Sequence, residues 1–193
     1  MAKVNAPLFS FGASGKLANS LVFMKWKGIA DVRMWLKPAN PKTAAQTQQR
    51  TRLTDGVAQW HVVALTADDQ TAWNVLATLA ASPMSGFNKF IKEYIRIIAA
   101  AATWELLTVG GAVAGGAGEL DVTIDSGDAV STVKAKWGTK KTLLLSETTL
   151  THLTGTWSAT ISGLVTGQRY FVQFTQVAAG VEGISGIYEG IAG

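Results

Sequence analysis

Val133-Lys134-Ala135-Lys136-Trp137 alternates apolar and charged side chains without a break. A strand points successive side chains to opposite faces, so Val133, Ala135 and Trp137 would line a core while the two lysines meet solvent. Working outward, Val122 and Ile124 keep the same period, as do Leu143 and Leu145, and further strands are expected at 155–161, 169–177 and 184–190. Short strands at this density, separated by Gly-rich turns, predict a β-sandwich over residues 103–193. The run from Gly110 to Gly118 is either a linker into that sandwich or the loop between its first two strands, if Leu106 to Val109 already belong to the sheet.

The first hundred residues read differently. Residues 1–19 are short of large apolar side chains and are expected to form an extended arm or loop. From Leu21 the pattern alternates: Val22, Met24 and Trp26 on one side of a strand, Lys25 and Lys27 on the other. After a turn at Gly28-Ile29-Ala30-Asp31, Val32, Met34 and Leu36 repeat the apolar set, and Arg33 and Lys37 the basic one. This predicts a hairpin with a dry side and a positive side. Asn40-Pro41 is one candidate helix start, and Thr43 with Gln46 at capping-box spacing is a competing one. Thr66 and Ser85 are candidate caps of two further helices, the last with Phe87, Phe90, Ile91, Tyr94, Ile95 and Ile98 at helical spacing. The fold class is therefore α+β: an N-terminal β-hairpin with three helices (1–100), then an all-β sandwich (103–193), the two expected to fold as separate units.

Composition bounds the function. A chain of 193 residues with 48% hydrophobic content is long enough for an ample core. Only 16% of residues are charged, which suits a surface covered by subunit contacts. Residues 1–100 contain twelve Lys/Arg against five Asp/Glu, a net +7, whereas 101–193 contain five against eight, a net −3. The two halves are thus expected to face different surroundings, the basic one an acidic surface or nucleic acid. Zero cysteines exclude disulfides, thiolate zinc sites and cysteine nucleophiles. The opening Met1-Ala2-Lys3-Val4-Asn5 lacks the apolar run of a secretory signal, and the stretch Ile97 to Trp104 is far short of the ~20 residues that span a bilayer, so no membrane partner is expected.

No residue set for catalysis can be named. Gly12-Ala13-Ser14-Gly15-Lys16 departs from a phosphate loop, with Ser10 where glycine is needed and Leu17 where serine or threonine is needed. His61 and His152 stand far apart, and Asp68-Asp69 reads as first-turn charge on a helix rather than an acid/base pair. Asp121, Asp125 and Asp128 lack a calcium-loop spacing. The expectation is a non-enzyme without metal or cofactor. The candidate docking surface is Lys16, Lys25, Lys27, Arg33, Trp35 and Lys37, whose charges suit either an acidic protein or duplex phosphates.

Residues 9–92 also contain a connected phrase: Phe11-Gly12-Ala13-Ser14-Gly15-Lys16-Leu17, Lys25-Trp26-Lys27-Gly28, Asn40-Pro41-Lys42-Thr43-Ala44-Ala45-Gln46 with Gln49-Arg50, Leu65-Thr66 with Trp73, and Ser85-Gly86-Phe87-Asn88-Lys89-Phe90. This resembles a family of small proteins encoded among the virion genes of tailed bacteriophages and prophages; Lys92 departs from an outline that usually has Asn there. The C-terminal half resembles fibronectin type III and related immunoglobulin-like modules, with Trp137 in the place of the core tryptophan and Leu164-Val165-Thr166-Gly167-Gln168-Arg169-Tyr170 in that of the tyrosine corner. Together the resemblances imply a virion structural protein, made in the host bacterial cytoplasm. It would be a capsid accessory or, as an alternative, a tail accessory protein, with other virion subunits and further copies of itself as partners. The reading from a different class is a phage DNA-binding protein using the basic hairpin.

Overall fold

A two-residue turn, Lys27-Gly28, organises the N-terminal strands. Its residues have φ of 49° and 84°, the left-handed pair that a tight hairpin with right-handed twist requires, and Gly28 adopts it without steric cost. The computed structural model describes residues 2–3, 15–17, 20–37, 39–62, 64–127, 131–178 and 180–193. The chain divides into two compact units, Met1–Thr43 and Ala44–Gly193. In the first, β1 (Ala2–Lys3), β2 (Gly15–Leu17), β3 (Leu21–Trp26) and β4 (Ile29–Met34) form an antiparallel sheet in the order β1-β4-β3-β2. The segment expected to be a loose arm thus contributes two strands to this sheet, because Lys16 pairs opposite Val22 and Ala2 opposite Val32. The rest of that arm, residues 1, 4–14 and 18–19, lies outside the described residues.

In the second unit three helices come first. Helix α1 (Ala44–Trp60) starts directly after Thr43, the later of the two candidate starts. Helix α2 (Ala67–Ala77) has a reciprocal capping box: the Asp69 N–H donates to the Thr66 hydroxyl at 3.2 Å, and the Thr66 N–H donates to the Asp69 carboxylate at 2.8 Å. Helix α3 (Gly86–Ala99) is capped by Ser85, which accepts from the Asn88 N–H. Its buried Phe90, Ile91, Tyr94 and Ile97 follow the 3–4 residue spacing of one helical face. Glu93 lies on the same helix. Burial alone would raise its pKa, but hydrogen bonds and charge from Lys89 and Arg96, both at 2.8 Å, outweigh it and hold the carboxyl below its usual range.

The remaining strands are β5 (Thr103–Trp104), β6 (Leu107–Ala114), β7 (Leu120–Ser126), β8 (Val133–Gly138), β9 (Ser146–Thr149), β10 (Thr151–Leu153), β11 (Thr156–Ile161), β12 (Arg169–Ala178) and β13 (Val181–Ile191). They form two sheets, β10-β11-β7-β6 and β5-β13-β12-β8-β9. Apart from the short β5, the eight strands are distributed as in an immunoglobulin-like sandwich: first, second, sixth and fifth strands in one sheet, the remainder in the other. The fold class is α+β, as the sequence pattern predicts. Most of the Gly-rich run is strand β6, which leaves only Gly115 to Glu119 as the turn into β7. The corner tyrosine is also present, since Tyr170 opens β12, is buried, and its hydroxyl accepts from the Val165 N–H at 3.1 Å.

Two expectations for the sandwich need correction. Leu143 and Leu145 do not alternate into the core: they precede β9 in a loop and are exposed, because β8 ends at Gly138, where the chain folds back so tightly that a Cβ would strike the Leu143 carbonyl. Trp137 is not the central core tryptophan. It is half-buried at the rim of the core, donating from Nε1 to the Thr148 hydroxyl at 3.0 Å and meeting Tyr170 edge-on, while Trp157 of β11 is the buried one.

The division at Thr43/Ala44 also differs from an expected boundary between residues 100 and 103, and the reason is packing. Trp73, Phe90, Tyr94 and Ile97 of the helices share one apolar cluster with Trp104 and Ile187 of the strands. Phe90 alone meets Trp60, Trp73 and Trp104 in edge-to-face contacts at 5.1–5.3 Å. Helix α2 lies directly on β13, where Gly186 leaves no room for a Cβ against the Ala72–Trp73 backbone. Asp69 closes the contact from the other side. Fully buried, its carboxylate accepts from the Thr66 N–H and hydroxyl, from the Val109 and Gly110 N–H groups at 3.0 Å each, and from the Tyr188 hydroxyl at 2.6 Å. Val109 has φ of 52°, an unusual value for a β-branched residue, at a bulge between Thr108 and Gly111. Burial, followed by the neighbouring Asp69 charge, pushes the Tyr188 phenol far above its ordinary pKa, so it stays a donor.

Two outcomes are expected. The fragment 44–193 should unfold in one cooperative transition, whereas 103–193 alone should not, because it exposes Trp104 and Ile187; thermal unfolding by circular dichroism reads both. A buried donor stripped of its acceptor costs about 1–3 kcal/mol, so Asp69→Ala should destabilise the protein by at least ~3 kcal/mol and Tyr170→Phe by only about 1 kcal/mol, in urea titrations of each variant.

Candidate docking surface

Register decides where the six candidate residues go. Directly opposed residues of an antiparallel pair share a face. Trp26 opposes Ile29, Met24 opposes Asp31, and Val22 opposes both Arg33 and Lys16, so these residues form one face of the N-terminal sheet. Leu21 opposes both Leu17 and Met34, Phe23 opposes Val32, and Lys25 opposes Ala30 on the other. The expected segregation into a dry side and a positive side is therefore not what forms. A loop with an even number of residues pairs even positions of β3 with odd positions of β4, which puts Arg33 beside Val22 and separates it from Lys25. The four-residue turn 28–31 is replaced by Lys27-Gly28, which moves Ile29 to Asp31 into the strand.

The candidates accordingly form two groups. Lys16, Arg33 and Trp35 gather on the first face, with the Lys16 ammonium 4.8 Å from the centre of the Trp35 ring. Lys27, in the turn, lies 5.7 Å over the Trp26 ring. Such cation–π pairs contribute about 0.5–1 kcal/mol at exposed sites and keep both partners in place at the surface. Lys25 lies on the opposite face, and Lys37 lies beyond the end of β4, exposed. Asp31 is the one acidic residue among residues 1–43, against seven Lys/Arg, and it is buried.

The alternation pattern missed the exposure of the apolar side chains themselves. Met34 and Leu36 are 75% and 76% exposed, Trp26 is 60% exposed, and Leu17, Leu21 and Ile29 are also open to solvent. They come from both faces, so this sheet has no dry side of its own. Single exposed apolar residues are ordinary; here six in a run of twenty are exposed, with lysines among them. The signal available in the sequence was the shortness of the strands, since a sheet of two- to six-residue strands has too little area to enclose a core.

Elsewhere, the remaining acidic and histidine candidates of the sequence lie apart from one another. Asp121 and Asp125 accept from the Thr160 and Thr156 hydroxyls at 2.6 and 2.7 Å across the β7–β11 pair, and Asp128 lies outside the described residues. His152 accepts from the Gly155 N–H in the β10–β11 turn and packs on Trp157; His61 is exposed just past α1. Among the described residues no group of three or more His, Asp or Glu side chains converges as a metal site would require.

No family model matches the chain, and no curated protein sequence matches it. Among solved structures it is similar to a fibronectin type III-like protein from Clostridium thermocellum, at 19% identity and a TM-score of 0.36, with 48% of this chain and 95% of that chain covered. It is also similar to a human fibronectin type III domain, at 10% identity and a TM-score of 0.32, with 58% and 88% covered. The sandwich is immunoglobulin-like by its own strand order and corner tyrosine.

Because Trp26 contacts so little, Trp26→Ala is expected to change stability by no more than ~0.5 kcal/mol. Trp73→Ala, in the shared core, should cost about 3–5 kcal/mol. Guanidinium titrations of the two variants make the comparison.

Proposed function

We propose that the chain is a non-catalytic structural protein of a tailed-phage particle, a capsid accessory subunit that docks through its N-terminal sheet. The observation that carries this reading is the set of exposed apolar side chains, Leu17, Leu21, Trp26, Ile29, Met34 and Leu36, in a unit with seven cationic residues and one anionic one. A surface that is both apolar and cationic gains most from an acidic, partly apolar protein partner: burial supplies affinity, and opposite charge supplies orientation and encounter rate. Supporting this, the residues matching the virion-family phrase include Lys16, Leu17, Lys25, Trp26 and Lys27 of that same sheet. Duplex DNA is the weaker fit, because Lys25 and Arg33 point to opposite faces and a phosphate backbone meets only one of them at a time.

The test is incorporation. Trp26→Ser and Met34→Ser, one on each face, should leave the isolated protein folded and reduce its abundance in purified particles at least tenfold, measured by quantitative mass spectrometry. Cryo-electron microscopy of wild-type particles should place the chain on the capsid. Absence of the wild-type chain from particles, together with tight, salt-sensitive duplex binding, overturns the reading.

A further inference from the structure

One end of the sandwich gathers segments that are far apart in sequence. Backbone hydrogen bonds join the β6–β7 turn, the β11–β12 loop and the C-terminus there: the Gly118 N–H donates to the Gly193 carbonyl, the Leu164 N–H to Gly118 and the Gly167 N–H to Ala192. The β8–β9 loop, 139–145, belongs to the same end. Strand β8 finishes at Gly138 opposite Phe171, and β12 begins two residues earlier, at Arg169 opposite Ile191. Four large apolar side chains stand out from this end, Leu145 at 79% exposed and Val165 at 66%, with Leu143 and Ile191 also open to solvent. Two of them are presented on fixed backbone. The Leu143 N–H donates to the Lys140 carbonyl at 2.9 Å, closing a tight turn, and the Val165 N–H donates to the corner hydroxyl of Tyr170. A surface whose backbone is ordered before it is covered loses less freedom on binding.

Charge indicates the occupant, because this end runs against the rest of its half. From Ala129 to Ser146 the chain has four lysines and no acidic residue, whereas the remainder of 101–193 has one basic residue, Arg169, against eight acidic ones. Lys134 pairs with Glu147 at 2.6 Å and Arg169 with Glu189 at 3.5 Å. Lys140 and Lys141, in the loop beside the two leucines, are exposed and form no ion pair among the described residues. The acidic side chains at this end are engaged: Glu189 by Arg169, and Glu119 by the Gly116 N–H. Exposed apolar side chains beside unpaired lysines, with no free acid among them, repeat the chemistry of the N-terminal sheet on a separate unit of the same chain.

We infer that this end of the sandwich, with Lys140, Lys141, Leu143, Leu145, Val165 and Ile191, is a second docking surface for the same acidic, partly apolar particle protein that the N-terminal sheet meets. The chain then holds its lattice at two points. This rests on the proposed docking role of the sheet. Size assigns the second surface its part: six side chains fall well short of the about 800 Å² per partner that a specific interface buries, so it does not hold a partner alone. As the second contact of a chain already docked it acts at high effective concentration, and such linkage raises avidity by roughly 10²–10⁴-fold over a single contact. Opposite charge on the partner orients the contact, and burial of the leucines supplies its strength.

Three full-length variants test it. The loop variant carries Lys140→Glu and Leu145→Ser, the conservative variant Lys140→Arg and Leu145→Met, and the sheet variant Trp26→Ser and Met34→Ser. All four positions are exposed, and circular dichroism checks that each variant folds. Particles are assembled with each, purified and diluted, and the chain retained over time is measured by quantitative mass spectrometry. The loop variant should incorporate but leave at least about tenfold faster than the wild type, a modest share of the avidity that two contacts give. The conservative variant should be retained like the wild type, and the sheet variant should be missing from the outset. Wild-type retention of the loop variant, with the sheet variant missing, overturns the inference and leaves the docking role of the sheet standing. Wild-type retention of both overturns the two together. A conservative variant released as fast as the loop variant also overturns the inference, since the loss then follows from disturbed loop shape. Two further measurements read the competing occupants. Neither the wild type nor the loop variant should sediment with mixed phosphatidylcholine and phosphatidylglycerol vesicles, and light scattering should find both in the same oligomeric state. Vesicle binding, or self-association, that the loop variant loses assigns the loop to a lipid surface or to a second copy and overturns the inference.

Discussion

A single buried carboxylate joins helix to sheet in this protein. Asp69 completes the cap of α2, accepts two backbone N–H groups from the bulged edge strand β6, and receives the Tyr188 hydroxyl from β13. A buried charge costs several kcal/mol unless its lone pairs are met by donors, and here five donors from three elements meet them. The same bonds offset the backbone cost of Val109 in its left-handed conformation and fix the bulge that redirects β6. Specificity follows from the same geometry, because only one placement of α2 on β13 satisfies the cap, the bulge and the phenol together.

That junction explains why the helices belong with the sandwich. An immunoglobulin-like module ordinarily leaves the outer faces of its sheets to solvent. Here the outer face near β13 and β12 is apolar at Ile184, Ile187 and Phe171, and α2 and α3 cover it. The aromatic column Trp60–Phe90–Trp104 extends the covered face back to α1.

The N-terminal unit obeys the opposite logic. Its strands are too short to enclose a core, and its even-numbered turn mixes lysines with large apolar side chains on each face. A stable, solitary domain would sort them. Mixed faces with exposed Trp26, Met34 and Leu36 fit a surface whose burial is completed by another molecule. Stability is thus concentrated in Ala44–Gly193, and apolar exposure in the sheet that precedes it.

Local chemistry was legible from the sequence wherever a few neighbouring residues determine it. The period-two runs at Val122–Ile124 and Val133–Trp137, the Thr66 and Ser85 caps, the helical spacing of α3 and the corner Tyr170 depend on strand pleat, cap geometry and turn chemistry within a handful of residues. Tertiary structure alone decided the remainder. The faces shared by Lys25 and Arg33 follow from register, which depends on the parity of a turn that the alternation pattern does not encode. The division at Thr43/Ala44 depends on aromatic contacts between residues as distant as Phe90 and Trp104, or Ala72 and Gly186. Asp69 looked like a first-turn charge on a helix, and that it is. Its further role reaches residues 40 and 119 positions away, and no local pattern shows which donors the fold will bring to a carboxylate.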